Sequence, residues 1–244
     1  MDASRAFVAV LALAVTVHAQ QFRGYGGSGS PFGGGSGFND FRGRPGFDIS
    51  SAERVRAIHG ILGALAMVVL FPGGSILVRV VPGRLALWAH ALAQLVSICV
   101  FIAAVVLGVR LVREVQIPFG DGNIMSNPNI NYHPIIGLVV LACLLLQPVL
   151  GIIHHVKFKK LGRRQIWSYL HLFNGRVFIT LGIVNGAFGL WMARAPTTLK
   201  TAYVAVAAAM WSLWMLAAAW GEFRQWRASR REMDQKLVEG ETTF

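Results

Sequence analysis

Five stretches of this 244-residue chain, at about residues 55–80, 85–112, 133–156, 166–192 and 200–220, are rich in Leu, Val, Ile and Ala and nearly free of charge. A soluble domain of this size would not repeat such runs, and about 20 apolar residues carry a helix across the roughly 30 Å hydrocarbon core of a bilayer. Within that core each backbone N–H and C=O must find a partner in the protein itself, so each run folds as a helix. The fold class that follows is an all-α membrane protein, a five-span helical bundle. The formal charge of +12 sits in short segments between the runs, where it sets topology. No basic stripe or recognition motif accompanies it, which argues against nucleic acid as a partner. Cys99 and Cys143 lie inside apolar runs and imply no disulfide framework.

The chain before the first run divides in two. Residues 1–19, MDASRAFVAVLALAVTVHA, have one early arginine, a short apolar centre and a small-residue end, the pattern of a secretory signal peptide cleaved near Ala19. Residues 20–50 turn to Gly, Ser, Phe, Arg and Pro, which cannot bury enough apolar surface to fold, and are read as a disordered Gly-rich non-cytosolic segment. Residues 51–222 then form the transmembrane domain and residues 223–244 a charged cytosolic tail. Lys157, Lys159, Lys160, Arg163 and Arg164 make the densest cationic cluster and mark a cytosolic loop between the third and fourth runs. Counting spans from a secreted N-terminus puts the same loop inside. The expected protein is thus integral to a membrane of the secretory pathway (plasma membrane, vacuolar or other endomembrane), with its N-terminus non-cytosolic and its C-terminus cytosolic.

The fourth run, QIWSYLHLFNGRVFITLGIVNGAFGL, carries His171, Arg176 and Asn185. Polar side chains at membrane depth are costly and mark functional spans. Three other runs carry one histidine near one end: His59, His90 and His133. In the topology above, His59 and His133 open the two spans that start outside, and His90 and His171 the two that start inside. The histidines form two pairs, each at matching depth. A pair of neutral imidazoles from facing helices suits the axial ligand set of a haem, with both positions filled and the iron confined to electron transfer. Zinc would want further N, S or O ligands that no span supplies at those depths. Two irons so held would lie on the order of 20 Å apart.

Four segments, IHGILGALAMVVLFPGGSILVR, WAHALAQLV, NYHPIIGLVV and YLHLFNGRVFITLGIVNGAFGL, resemble the cytochrome b561 family of transmembrane electron carriers, whose four ligating histidines stand on four successive spans. The first and last are similar in particular to its fungal branch, here without an attached soluble domain. The resemblance implies a four-helix di-haem core with two b-type haems: His59 with His133 on the non-cytosolic haem, His90 with His171 on the cytosolic one. It also implies transmembrane oxidoreductase activity of the ascorbate- or ferric-reductase type, passing electrons from a cytosolic ascorbate-like reductant to monodehydroascorbate or a ferric chelate outside.

Around these ligands, Arg176 can neutralise a haem propionate and Gln94, one turn deeper than His90 on the same face, can orient an imidazole. Asn185 is open between that role and an interhelical hydrogen bond beside Gly182, Gly186 and Gly189. Arg84, Lys157, Lys160 and Arg164 are the candidate contacts for an anionic reductant. His154 and His155, next to the cationic loop, are read as interfacial. The alternative function is a haem-bearing membrane anchor exchanging electrons with quinol and a partner redox protein; a homodimer is the oligomer left open.

Overall fold

A computed structural model describes residues 49–81, 83–114, 125, 128 and 130–241. The expected signal peptide and the Gly-rich segment as far as residue 48 lie outside the described residues, while Ile49 and Ser50 already belong to the first helix. Five helical segments, Ser51–Val80, Leu85–Arg113, Tyr132–Leu161, Ile166–Met192 and Thr197–Gln235, are long and apolar enough to cross a membrane. The chain is an all-α integral membrane protein with five candidate spans among the described residues.

Span 1 is built from α1 (Ile49–Ala64), a π-helical turn (Leu65–Leu70) and α2 (Phe71–Val80). Span 2 is α3 (Gly83–Glu114), span 3 joins α4 (Tyr132–Leu145) to α5 (Gln147–Leu161), span 4 is α6 (Ile166–Met192) and span 5 is α7 (Thr197–Glu241). The segment read from sequence as a charged tail is helical through Glu241, continuing span 5 without a break.

Each of the two interruptions is followed two residues on by a proline, and near each a side chain of a neighbouring span bonds a backbone carbonyl. Pro72 has no N–H for the ladder. The chain widens ahead of it, with the Phe71 N–H bonding to the Ala66 carbonyl five residues back, and the Gln94 amide of α3 donates to the Phe71 carbonyl at 3.0 Å. In span 3, Pro148 cannot donate to Leu144, and the helix is interrupted at Leu146. There Asn174 of α6 donates to the Cys143 carbonyl at 2.8 Å, and Gln147 donates back to the His171 carbonyl at 3.1 Å. Proline is tolerated at membrane depth where adjacent helices meet the freed groups in this way.

The connections use local chemistry. Val81, preceding Pro82, is extended, and Gly83 starts α3 at φ +70°. Gly162, left-handed at φ +64°, stops α5 directly after Lys159 and Lys160. A capping box between Gln165 and Ser168 opens α6.

Spans 1–4 form a ring in which span 1 packs on spans 2 and 4, and span 3 on spans 4 and 2. Spans 1 and 3 therefore stand on one diagonal, spans 2 and 4 on the other. Span 5 lies outside the ring against spans 1 and 4 and presents the helical stripe Ala207, Met210, Trp214 and Ala218 to them. The middle of span 1 is covered on all sides: Ala66, Met67, Val68 and Val69 are consecutive and buried. Met67 reaches α6 where Gly182 leaves room, since a Cβ there would stand 2.5 Å from its sulfur. The outward faces stay apolar and exposed, as lipid-facing surfaces require, with Trp88, Trp191, Trp220 and Trp226 near span ends.

Candidate functional site

The polar side chains of the ring gather at two levels, one toward each end of the bundle. At the first level, His59 of α1 and His133 of α4 meet across the diagonal, ring centroids 5.9 Å apart and ring planes at 86°. Each ring is held by its Nδ1. That of His59 donates to the Ala104 carbonyl of α3 at 2.7 Å, and that of His133 donates to the Asn185 carbonyl at 3.0 Å and its side-chain oxygen at 3.2 Å. A carbonyl only accepts, so both rings carry a proton on Nδ1, and in the neutral ring this leaves Nε2 as the lone pair, the form in which histidine binds a metal. Glycine makes the space. A Cβ on Gly108 would stand 2.9 Å from Cε1 of His59, and one on Gly189 2.8 Å from Cε1 of His133.

Asn185 is buried and donates its amide to the His133 carbonyl at 3.1 Å. The two roles open to it from sequence are thus one: it is an interhelical bond, and it orients an imidazole. The three glycines around it serve three neighbours, Gly182 admitting Met67, Gly186 the Tyr203 hydroxyl and Gly189 the His133 ring.

At the second level, the Nδ1 of His90 donates to the Gly74 carbonyl of α2 at 2.8 Å. One turn on, Gln94 donates to Phe71 and to the Ser75 hydroxyl, so the shared face expected of His90 and Gln94 is the one turned to span 1. His171 of α6 lies across from them within electrostatic range of His90, its ring packed where a Cβ on Gly151 would stand 3.3 Å from Cε1. Its nearest ring partner is His154 of α5, stacked at 6.0 Å and 13°. His154 also joins the buried Ser168 hydroxyl at 2.6 Å. His154 is half-buried and backs His171, because the α5–α6 turn folds the two helices onto each other, while His155 is exposed.

Two nitrogens at about 2 Å on opposite sides of one metal place their ring centroids roughly 6 Å apart. The spacing of His59 and His133 matches this, and their protonation pattern leaves the right nitrogen free. Among the described residues no three His, Cys, Asp or Glu side chains converge, so the first level offers a pair of imidazoles rather than the fuller set zinc takes. The donors present fit the axial positions of a haem iron.

A cluster of charged side chains joins spans 1, 4 and 5 near the second level. Glu222 of α7 pairs with Arg164 at 2.6 Å and with Arg176 at 3.0 Å, and Arg164 also bonds Gln225. Arg79 packs beside Gly221 within electrostatic range of all three. Arg176 and Arg164, named from sequence for different roles, thus share one carboxylate, Glu222, which no motif singles out. Lys157 and Lys160 are exposed on the last turns of α5, and the side chain of Arg84 lies outside the described residues.

Among known proteins, the chain is 30% identical over 146 residues to a cytochrome b561 and DOMON domain-containing protein of Arabidopsis thaliana. The aligned part is 59% of this chain and 33% of that protein, so the chain spans about one third of the length of the relative it matches. The similarity supports the cytochrome b561 family. No family model matches the chain, and no solved structure does.

Proposed function

We propose that this chain is a di-haem b-type transmembrane electron carrier that moves electrons from a cytosolic, ascorbate-like reductant to a non-cytosolic acceptor such as monodehydroascorbate or a ferric chelate. The observation that carries the reading is the meeting of His59 and His133 across the bundle, each with Nδ1 donated to a neighbour and Nε2 free. His59 and His133 would hold one haem and His90 and His171 the other. A b-type haem held by these imidazoles would supply one-electron iron chemistry. The protein's part is to fix the imidazoles and keep water out. The buried middle of span 1, with Met67 against Gly182, packs the bundle between the two levels.

In this reading the His90–His171 level faces the cytosol, where the arginines at Glu222 and the exposed Lys157 and Lys160 draw an anionic reductant. Arg176 is near enough to that level to balance a propionate. The protein resides in a membrane of the secretory pathway, with the end of α7 in the cytosol.

The test is haem counting with a reduced-minus-oxidised spectrum of the purified protein, repeated after adding ascorbate in sealed vesicles. Two b-type haems per chain, reduced by ascorbate from the His90–His171 side, are expected. A protein without haem would end the proposal.

A further inference from the structure

α7 runs without a break from the bundle to Glu241, so the step of about 100° between residues fixes which side each one takes beyond the bundle. Ala207, Met210, Trp214 and Ala218 mark the side that faces spans 1 and 4. The opposite side, about half a turn away, carries exposed residues whose chemistry changes in one direction. Leu213 and Leu216 come first, then Trp220, Phe223 and Trp226, then Arg227 and Arg230. Aliphatic, aromatic and cationic is the order that a lipid-facing helix presents as it leaves the hydrocarbon and crosses the headgroups.

The aromatic residues form a continuous ridge. Ring centroids of Trp220 and Phe223 are 6.2 Å apart, and those of Phe223 and Trp226 6.1 Å. Each arginine lies back over the ring one turn before it: the guanidinium carbon of Arg227 is 4.8 Å from the Phe223 centroid, and that of Arg230 is 5.4 Å from a Trp226 ring centroid. Helical side chains lean toward the N-terminus of their helix, here toward the membrane. With Trp220 at the hydrocarbon edge, the two guanidiniums stand roughly 4 to 9 Å above it, in and at the outer rim of a headgroup layer about 5 to 7 Å thick. A guanidinium whose face is covered by a ring keeps its N–H edge for a bidentate oxygen acceptor such as phosphate. Arg224, Arg227, Arg230 and Arg231 follow one another with no acid between them, and Glu222, just before them, is bound to Arg164 and Arg176.

We infer that this ridge binds acidic phospholipid, with Arg227 and Arg230 on the headgroup phosphates and Trp220 and Phe223 against the glycerol and upper acyl carbons. The run of positive charge selects an anionic headgroup over a zwitterionic one, and acidic lipids populate the cytosolic leaflet. The choice of leaflet rests on the topology proposed above. Recognition itself needs only that span 5 crosses a bilayer, and it is independent of haem.

The experiment uses full-length protein in nanodiscs of phosphatidylcholine with phosphatidylserine in both leaflets, so that topology does not enter. Retained lipid is counted by native mass spectrometry, and a photoreactive phosphatidylserine maps the contact. Wild-type protein should retain phosphatidylserine in preference to phosphatidylcholine, with crosslinks falling within residues 220–231. The double variant Arg227→Gln/Arg230→Gln, altered only at exposed positions, should lose that preference roughly tenfold. Arg227→Lys/Arg230→Lys, which keeps the charge and loses the planar fork, should fall between them. Inorganic phosphate should not displace the lipid. Equal preference in wild type and the double glutamine variant, or crosslinks confined to other segments, would overturn the inference. Displacement by inorganic phosphate would assign the arginines to a free anion, and crosslinks joining two ridges would assign the face to a second copy of the chain; either overturns it. Protease cleavage of the α7 end from the outside of sealed cells would overturn the topology and leave the lipid contact standing.

Discussion

Asn185 and His133 hold each other by reciprocal hydrogen bonds: the asparagine amide donates to the histidine carbonyl at 3.1 Å, and the histidine Nδ1–H is shared between the asparagine carbonyl at 3.0 Å and its side-chain oxygen at 3.2 Å. One buried side chain thereby fixes the ring of one helix and the register of two. The arrangement recurs where the ring of spans is interrupted, with Gln94, Gln147 and Asn174 each donating an amide to a carbonyl of the next span.

Asn185→Leu should therefore destabilise the protein by about 1 kcal/mol, in line with interhelical hydrogen bonds in membranes. The His133 ring keeps one acceptor, the Asn185 backbone carbonyl, and loses its lateral guide. Thermal unfolding in detergent, followed in the haem band, should show the haem at His59 and His133 released first. Equal release of both haems would contradict the assignment.

Alanine at His90 or His171 should lower the haem count from two to one per chain and spare the haem at His59 and His133, with His59→Ala and His133→Ala doing the converse. Extraction and quantification of haem against protein measures this directly. An unchanged count in any single variant removes that histidine from the ligand set.

Glycine positions separate space from backbone effects. Gly108→Ala and Gly189→Ala each put a Cβ within 3 Å of an imidazole carbon that is tethered at Nδ1 and cannot swing clear, so both should weaken or abolish haem retention at the first level. Gly60→Ala, in the same span as His59 but with nothing within 4 Å of the new carbon, should keep both haems. It should also gain up to about 1 kcal/mol from better helix propensity. Loss of haem in Gly60→Ala, or its retention in the other two, would refute the steric account.

Glu222→Gln leaves Arg164 and Arg176 without their shared carboxylate. Both pairs are about one-third exposed, so the stability cost should stay within about 1 kcal/mol. The local potential becomes more positive, and reduction by an anionic donor should speed up at low ionic strength, with the gain vanishing as salt screens it. Stopped-flow reduction by ascorbate across a salt series reads this. A rate insensitive to both the substitution and salt would remove the arginines from the donor's path.

Some of the site was legible before the fold. His90 and Gln94 stand four residues apart in a helix, so their common face followed from period alone, and the structure adds only that the face meets span 1. The contact of His154 was not legible: it was read as interfacial beside a cationic loop, and only the turn that begins at Gly162 shows that it stacks on His171. Gln147 did leave a signal, a lone amide beside Pro148 inside an apolar run, but nothing local said which span it would repair. Glu222 lay beyond the last apolar run and had no local partner to betray it.

The sequence by itself determined the five apolar spans found among the described residues and the place of each histidine along its span, because a rise of about 1.5 Å per residue converts position in a run directly into height along the helix. Only the tertiary structure decided who faces whom. Direction around a helix axis has no meaning until a neighbour is packed, and here close glycines, a widened turn before Pro72 and the break at Leu146 rotate the side chains locally. His59 therefore meets His133 because spans 1 and 3 share a diagonal, a relation that no stretch of either span contains.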